Sequence, residues 1–383
     1  MRPIRVLHLV HTPGPGGTEA VVGNLLSWLA PRDAVQALGC PDGPLAREAE
    51  EGGTRCFRVP FERVRRTYSP VALVRSLEAV SAVHWALNDA IEAFEPDIVH
   101  AHAAKATVLA GRCRSLGESS SWKLLWHMHD YIPLGLLRGL WIRRARGAAD
   151  SIVTVSRHVA DSVLGQSHGA VVIHNAIPPT MPADPVAGAS MLESLSIPAG
   201  SPVIGYAGRL DAEKGVEELL RIFHRVCAQE PKARLLIAGG SPFQADAAAR
   251  HLIDLAARLN LQDRVHFLGR LPDLTSFYAA LTLFAHPAPR EPFGLVVLEA
   301  LAHGIPVVAF DTGGPREILC GFEPGLLVAA GNSDEFAATC CRVVRNEALL
   351  TRVRREGPGF VSTAFGPSVQ GRAILEHYRS MLT

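Results

Sequence analysis

The sequence predicts an α/β protein made of two doubly wound units. Three observations carry that prediction. Short apolar runs alternate with helical patterns along most of the chain. Most of these runs are continuously apolar rather than alternating, which marks strands covered on both faces of a parallel sheet. A Pro-rich break, Ile177-Pro178-Pro179-Thr180-Met181-Pro182-Ala183-Asp184-Pro185, lies near the middle and has no clear period. At 383 residues the chain exceeds one typical domain, so two are expected.

In chain order, the first unit should hold strands at Arg5–His11, Asp97–Ala103, Leu124–His129, Ser151–Ser156 and Val171–Asn175. Helical patterns at Glu19–Ala30 and Leu73–Phe94 lie between them. The second unit should hold strands at Val203–Ala207, Arg234–Ala238, Val265–Leu268, Leu283–His286, Val307–Phe310 and Leu326–Val328. Its helical stretches are Val216–Gln229, Ala245–Leu259, Leu295–Ala302 and Asp334–Glu347. Gly304 before Pro306 ends the third of these. Domains are therefore expected at 1–178 and 179–366. A further amphipathic helix, Arg372–Leu382, follows a loop at Phe365-Gly366-Pro367.

Composition narrows the function. Hydrophobic residues make up 48% and charged residues 20%, enough to bury sizeable cores. The net charge of +1 argues against a general nucleic-acid binder. Cys40, Cys56, Cys113, Cys227, Cys320, Cys340 and Cys341 form no C-x-x-C pair, so neither a zinc ribbon nor a disulfide framework is expected. The run after Met1 is too short for a signal peptide, and no window is apolar enough to span a membrane. A cytoplasmic location is expected.

The densest chemistry lies in Glu291-Pro292-Phe293-Gly294-Leu295-Val296-Val297-Leu298-Glu299. Glu291 sits in a Pro/Gly turn, and Glu299 lies inside the helix that follows. The free N–H groups at the helix start, together with the dipole, favour an anion. Glu299 falls roughly 8–10 Å beyond the turn at the helical rise. An acceptor at each end of an anion cradle suits a nucleoside diphosphate sugar, one carboxylate taking sugar hydroxyls and the other ribose hydroxyls. The competing interpretation is a buried helix whose Glu299 is paired structurally.

Two strand-to-helix turns add to this. Val203–Ala207 ends in Gly208-Arg209-Leu210-Asp211-Ala212-Glu213-Lys214-Gly215. Arg209 and Lys214 leave the carboxyl end of the unit's first strand, where anions bind. In the other unit, Arg5–His11 leads into Thr12-Pro13-Gly14-Pro15-Gly16-Gly17-Thr18-Glu19. Its glycines let a ligand approach the backbone, but the third glycine of a dinucleotide fingerprint is absent. No Asp-x-Asp occurs in the chain, so no metal site and no metal cofactor are expected.

With these residues in place, the chain resembles the GT-B retaining glycosyltransferases of family 4, the glycogen-synthase-like and mannosyltransferase-like group. The resemblance rests on Gly16-Gly17-Thr18-Glu19, His129-Asp130, Ser156, Asn175, Gly208-Arg209-Leu210 with Glu213-Lys214-Gly215, Glu291-x7-Glu299, Gly304-Ile305-Pro306-Val307-Val308, and Gly313-Gly314. It spans residues 5 to about 330. It implies two Rossmann-like domains facing across a cleft, with a C-terminal helix, about 367–383, packed back on the first.

The resemblance also implies roles. Arg209 and Lys214 would neutralise the donor diphosphate as it leaves. Glu291 would hold hydroxyls of the transferred sugar, and Glu299 would bind the ribose. Amides from Phe293, Gly294, Leu295 and Val296 would contact sugar and phosphate. Gly16 and Gly17 would approach the diphosphate from the other domain, and Gly208 belongs to the donor loop. His129 would sit near the sugar. His127 competes for that place on the same strand face, and His129 is preferred because it is nearer the strand's end. The base is expected near Gly269-Arg270-Leu271, with UDP favoured because it is commonest in the family. Retention without a carboxylate nucleophile implies same-face attack assisted by the departing phosphate. Lys214→Ala is expected to lower kcat far more than stability.

The acceptor is the least legible part: a small molecule, a glycan or a lipid-linked compound. Two basic segments, Glu62–Arg66 and Leu137–Arg146, bear on it. Trp141 lies among the arginines of Arg138–Arg146, and that stretch could rest on an anionic membrane surface, placing the protein peripherally at the inner face. A solvated helix face with one packed Trp is the plainer expectation. The alternative functions are a sugar-nucleotide epimerase and a non-catalytic nucleotide-sugar-binding protein.

Overall fold

Parallel strands buried on both faces form the centre of each half of the computed structural model, which describes residues 2–12, 14, 16–29, 33–61, 70–116, 121–132, 138–166, 169–180, 184–240 and 245–383. The chain divides into two compact units. Unit 1 is Met1–Pro178 with Pro367–Thr383, and unit 2 is Pro179–Gly366.

Unit 1 runs β1 (Ile4–Leu9), α1 (Gly17–Leu29), β2 (Ala34–Cys40), α2 (Pro44–Glu51), β3 (Arg55–Arg58), α3 (Pro70–Phe94) and β4 (Ile98–Ala101). It continues with α4 (Ala104–Leu116), β5 (Lys123–Met128), α5 (Arg138–Ala148), β6 (Ser151–Thr154), α6 (Arg157–Leu164) and β7 (Val171–Val172). The parallel sheet has the order β3-β2-β1-β4-β5-β6-β7. Leu7, Leu9, Val99 and Ala101 pack under Val83, Leu87 and Ala90 of α3 and Ala106 of α4. On the other face Val22 and Leu26 of α1 meet Leu38 and Leu45.

Strands β2 and β3 were not expected from the sequence. Gln36 interrupts the apolar run of β2, and the edge strand β3 begins and ends in exposed arginines. The periodic signal is weak in both, yet each pairs in register with its neighbour.

Unit 2 runs α7 (Pro185–Ser194), β8 (Val203–Ala207), α8 (Val216–Gln229), β9 (Arg234–Ala238), α9 (Ala245–Arg258), β10 (Val265–Gly269), α10 (Thr275–Ala279) and β11 (Leu283–His286). Next come α11 (Leu295–Ala302), β12 (Val307–Phe310), α12 (Gly313–Cys320), β13 (Leu327–Val328), α13 (Ser333–Val344) and α14 (Glu347–Phe365). Its parallel sheet has the order β10-β9-β8-β11-β12-β13. Leu219 and Phe223 of α8 share a core with Phe310, Phe336 and Cys340. The single helix expected over Asp334–Glu347 stops at Val344. Asn346 then caps α14, its side chain accepting from Leu349 N, so the last residues belong to a new helix.

The final helix, α15 (Pro367–Leu382), returns to unit 1. Pro367 suits the first helical turn. Gly371 lies so close to Trp28 of α1 that a Cβ would meet its ring at 1.9 Å. Arg379 pairs with Asp33 at 2.7 Å, and Tyr378 is fully buried. Among the described residues no helix is long and apolar enough to cross a membrane.

Candidate functional site

Strand order decides where the groups of unit 2 can meet. The chain lays down β8, β9 and β10 outward to one edge, and β11 then pairs on the other side of β8. Loops leaving β8 and β11 therefore emerge side by side at a topological switch point, the usual ligand position in open α/β sheets. Gly215 closes the β8 loop with φ 71°, and a Cβ there would sit 2.4 Å from the Pro287 carbonyl. Only glycine allows both the left-handed turn and this approach. From α12, Gly314 N donates to the Glu291 carbonyl at 3.0 Å. A Cβ on Gly314 would lie 2.1 Å from the Phe293 carbonyl. The Glu291 turn is thus pinned from two directions.

At that turn Lys214 Nζ donates to Glu291 Oε2 at 2.7 Å, and His286 Nε2 lies 3.3 Å from the same oxygen. Glu291 is buried. Burial alone would push its carboxyl up, but His286 and Lys214 outweigh that and hold it at about 2. It is therefore a fixed anion at neutral pH. His286, fully buried at the end of β11, is a partner that sequence reasoning missed. Its signal was available: a strand-terminal histidine directly before the Pro/Gly turn.

Arg209 goes elsewhere. Its guanidinium lies 3.2 Å from Asp211 and 3.9 Å from Glu213, and its side chain is 46% exposed. It shares the loop of Lys214 without sharing its partner. Gly208, with φ 154°, follows β8, and Gly208 N donates to Ala238 O. Gly239 N then donates to Gly269 O at 2.7 Å, so Gly269 lies on the same edge of the sheet. Arg270 is exposed and Leu271 half-buried beside it.

Past Glu291, Phe293 buries its ring against Phe365. Gly294, with φ 95°, stands at the N-cap of α11 and carries no side chain over the helix start. Leu295 and Val296 occupy the first helical positions, whose N–H groups have no intrahelical partner. Glu299 lies one turn further along α11, half-buried, and accepts from Tyr278 Oη at 2.9 Å. Burial pushes its carboxyl up, with the Tyr278 bond opposing. The structural pairing weighed for Glu299 is therefore present in this structure.

Unit 1 places Gly16 and Gly17 at the start of α1, where Gly16 O accepts from Ala20 N at 3.0 Å. Its switch point lies between β1 and β4. Five histidines gather there. His8 Nδ1 is 3.0 Å from His102 Nε2, and His102 Nδ1 is 2.9 Å from His129 Nε2. His100 Nε2 is 3.0 Å from His127 Nδ1, and His100 Nδ1 is 2.6 Å from Tyr378 Oη. His127 is fully buried inside β5. His129 stands just past the strand and is half-buried, yet its Nδ1 is buried without a hydrogen-bond partner among the described residues.

Burial pushes all five imidazoles down, His8 to about 4 and His129 to about 3, so they stay neutral. Nitrogens of His8, His100 and His102, and of His102, His127 and His129, lie within 4.8 Å of one another. Neutral imidazoles at that spacing could share a metal, but three of the pairs are already hydrogen-bonded to each other. The sequence reading noted only His127 and His129. Two H-x-H patterns, His100/His102 and His127/His129, were the signal for the rest, because alternate residues of adjacent strands share a face.

Glu62–Arg66 lies outside the described residues. In α5, Arg143, Arg144 and Arg146 are exposed, while Trp141 is half-buried and Ala145 fully buried.

Residues 190–359 match the family described as glycosyl transferases group 1, and residues 15–180 match glycosyltransferase family 4. Among similar proteins, 2-deoxystreptamine N-acetyl-D-glucosaminyltransferase of Streptomyces fradiae is 27% identical over 389 residues, covering 95% of this chain and 90% of that protein. Alpha-maltose-1-phosphate synthase of Mycolicibacterium smegmatis is 30% identical over 315 residues, covering 76% and 80%. D-inositol 3-phosphate glycosyltransferase of Saccharomonospora viridis is 35% identical, but the match spans only 45% of this chain and 42% of that protein. The crystal structure of Anabaena Alr3699/HepE in complex with UDP and glucose superposes with TM-score 0.82 at 22% identity, covering 98% of this chain and all of the other. At that identity the likeness shows the fold.

Proposed function

This chain belongs to glycosyltransferase family 4, with the GT-B fold, and from that premise we propose that it moves a sugar from a nucleoside diphosphate sugar to an acceptor hydroxyl. The observation that carries the proposal is the Lys214–Glu291–His286 cluster beside the open amides of α11. Departure of a nucleoside diphosphate builds negative charge on the β-phosphate. A fixed cation and oriented amides in a partly dry site stabilise that charge, commonly the largest catalytic contribution. Lys214 carries the charge, and Arg209 joins it by leaving its exposed pairs with Asp211 and Glu213. Such exposed pairs are worth roughly 0–1 kcal/mol, so their exchange for phosphate is cheap.

Glu291, held ionised, accepts from hydroxyls of the transferred sugar. Glu299 keeps a free acceptor site beside Tyr278 and takes the ribose. Gly208, Gly269, Arg270 and Leu271 frame the base. Gly16, Gly17 and His129 keep the roles that the family resemblance gives them. UDP-sugars are the favoured donors, the sugar transferred is a hexose, and the configuration is retained by same-face attack. No metal takes part. The acceptor is a small polyol or aminocyclitol, in line with the 2-deoxystreptamine N-acetyl-D-glucosaminyltransferase of Streptomyces fradiae, whose match covers 95% of this chain.

Mass-spectrometric turnover with UDP-, GDP- and ADP-hexoses against a panel of polyols tests this. Transfer from at least one donor, abolished in the Glu291→Gln and Lys214→Ala variants, is expected. Binding without transfer, or transfer that both variants keep, would refute it.

A further inference from the structure

The hydrogen bonds leading to His129 run in one direction only, and the direction is set far from its ring. Gln36 of β2 begins the chain. Its Nε2 donates to the Leu26 carbonyl at 2.9 Å. A carbonyl can only accept, so the amide nitrogen must face Leu26 and the oxygen must face the other way. That oxygen lies 3.1 Å from His8 Nε2. An amide oxygen also only accepts, so His8 Nε2 carries the hydrogen.

A neutral imidazole has one N–H, which leaves His8 Nδ1 bare. His8 Nδ1 lies 3.0 Å from His102 Nε2, which must therefore donate. His102 Nδ1 is bare in turn and accepts from His129 Nε2 at 2.9 Å. His129 is left with its lone pair on Nδ1, the atom that is buried without a partner among the described residues. We propose that Gln36, His8 and His102 are positioning residues that hold His129 as its Nε2–H tautomer, presenting Nδ1 as an acceptor for a ligand hydroxyl.

The strand framework keeps the order fixed. His8 is opposite His100 in the β1–β4 register, and His8 and Gln36 stand on adjacent strands. Depressed proton affinity keeps each ring neutral, as the single-hydrogen argument needs. A neutral acceptor suits an uncharged sugar or polyol hydroxyl and not the diphosphate of a nucleotide sugar, whose oxygens carry no hydrogen at neutral pH. The inference rests on the proposed function only for the identity of that hydroxyl. The relay itself is a property of the unliganded protein.

The test uses the full chain with 15N-labelled histidine and long-range 1H–15N correlation at neutral pH, after chelator treatment. His8, His102 and His129 should each appear as the Nε2–H tautomer, with His129 Nδ1 unprotonated. A His129 that is mainly Nδ1–H, or charged, overturns the relay without any variant being made. Gln36→Met removes the terminal acceptor and should shift the His129 tautomer ratio roughly fivefold toward equality, the worth of one net hydrogen bond. An unchanged ratio in Gln36→Met refutes the role of Gln36. Equimolar Zn2+ should leave these signals in place. Stoichiometric shifts at His102 and His129 would show that these nitrogens are a metal site and overturn the relay. Correct tautomers in a protein that transfers no sugar would instead sink the proposed function and leave the relay standing.

Discussion

The two units use the same place in the same topology for opposite electrostatics. At the β8/β11 switch of unit 2, a buried carboxylate is held ionised between Lys214 and His286. At the β1/β4 switch of unit 1, five imidazoles are packed together and kept neutral. Sheet topology supplies the crevice, and the side chains decide what it can hold. A cluster that fixes a lysine charge beside open amides can stabilise an anion. A neutral cluster offers hydrogen bonds but no net charge to the group it meets. The contrast fits a donor whose diphosphate is held by unit 2.

Acid should separate the two units first and most strongly. A buried histidine whose folded pKa is lowered contributes stability that is full above its unfolded value of 6.5 and is lost as pH falls below it. Each such ring removes about 1.4 kcal/mol per pH unit in that window. Glu291 contributes stability that is full above 4.5 and is lost only as pH falls toward about 2. The five tryptophans, Trp28, Trp85, Trp122, Trp126 and Trp141, all lie in unit 1. Their emission should therefore report exposure between pH 6.5 and 4, while much of the helical circular dichroism survives. Loss of both signals together, and only below pH 4, would erase the distinction.

Lys214→Ala comes next. Loss of one fixed donor to a developing oxyanion lowers kcat by roughly 10²–10³-fold. The sequence alone sets the loss of kcat far above the loss of stability. The ion pair adds a definite stability cost, because the variant strands a buried carboxylate. Breaking a buried pair costs about 3–5 kcal/mol, and roughly 1–3 kcal/mol is expected here because both partners keep some exposure. Urea unfolding beside steady-state kinetics separates the two effects. A stability loss that Glu291→Gln does not relieve in the double variant would show that the pair is not its source.

Tyr378→Phe should have the smallest effect of the three. It leaves His100 Nδ1 buried with no partner and should lower stability by about 1–2 kcal/mol. The emission of the tryptophans should follow that loss, since α15 packs on unit 1. An unchanged melting temperature would mean that the His100–Tyr378 bond adds nothing net.

Much of this was legible in the sequence because buried parallel strands are written as continuous apolar runs. Strands β8, β9, β11 and β12 have the expected bounds, since both faces of each are covered. Edge strand β3 was not legible: its four residues carry exposed arginine at both ends, leaving only Cys56 and Phe57 as an apolar signal. The Glu291 turn could be read because Pro, Gly and Glu fall together in the chain. The partners of its carboxylate could not, because Lys214 and His286 reach it through the strand order. The histidine cluster was hidden for the same reason. His8, His100 and His127 are neighbours only after β1, β4 and β5 pair. Glu299 shows the opposite case: its spacing from Glu291 was plain, but the bond from Tyr278 appears only in the fold.

Calorimetric titration of UDP, GDP and ADP, each beside its nucleoside, into the wild-type protein and into Lys214→Ala tests the central claim most directly. At least one diphosphate should bind the wild type at least roughly tenfold more tightly than its nucleoside, about 1.4 kcal/mol, and the variant should lose most of that difference. A diphosphate that binds both proteins equally, or no binding of any nucleotide, would contradict the assignment of the Lys214–Glu291 crevice to a nucleoside diphosphate sugar.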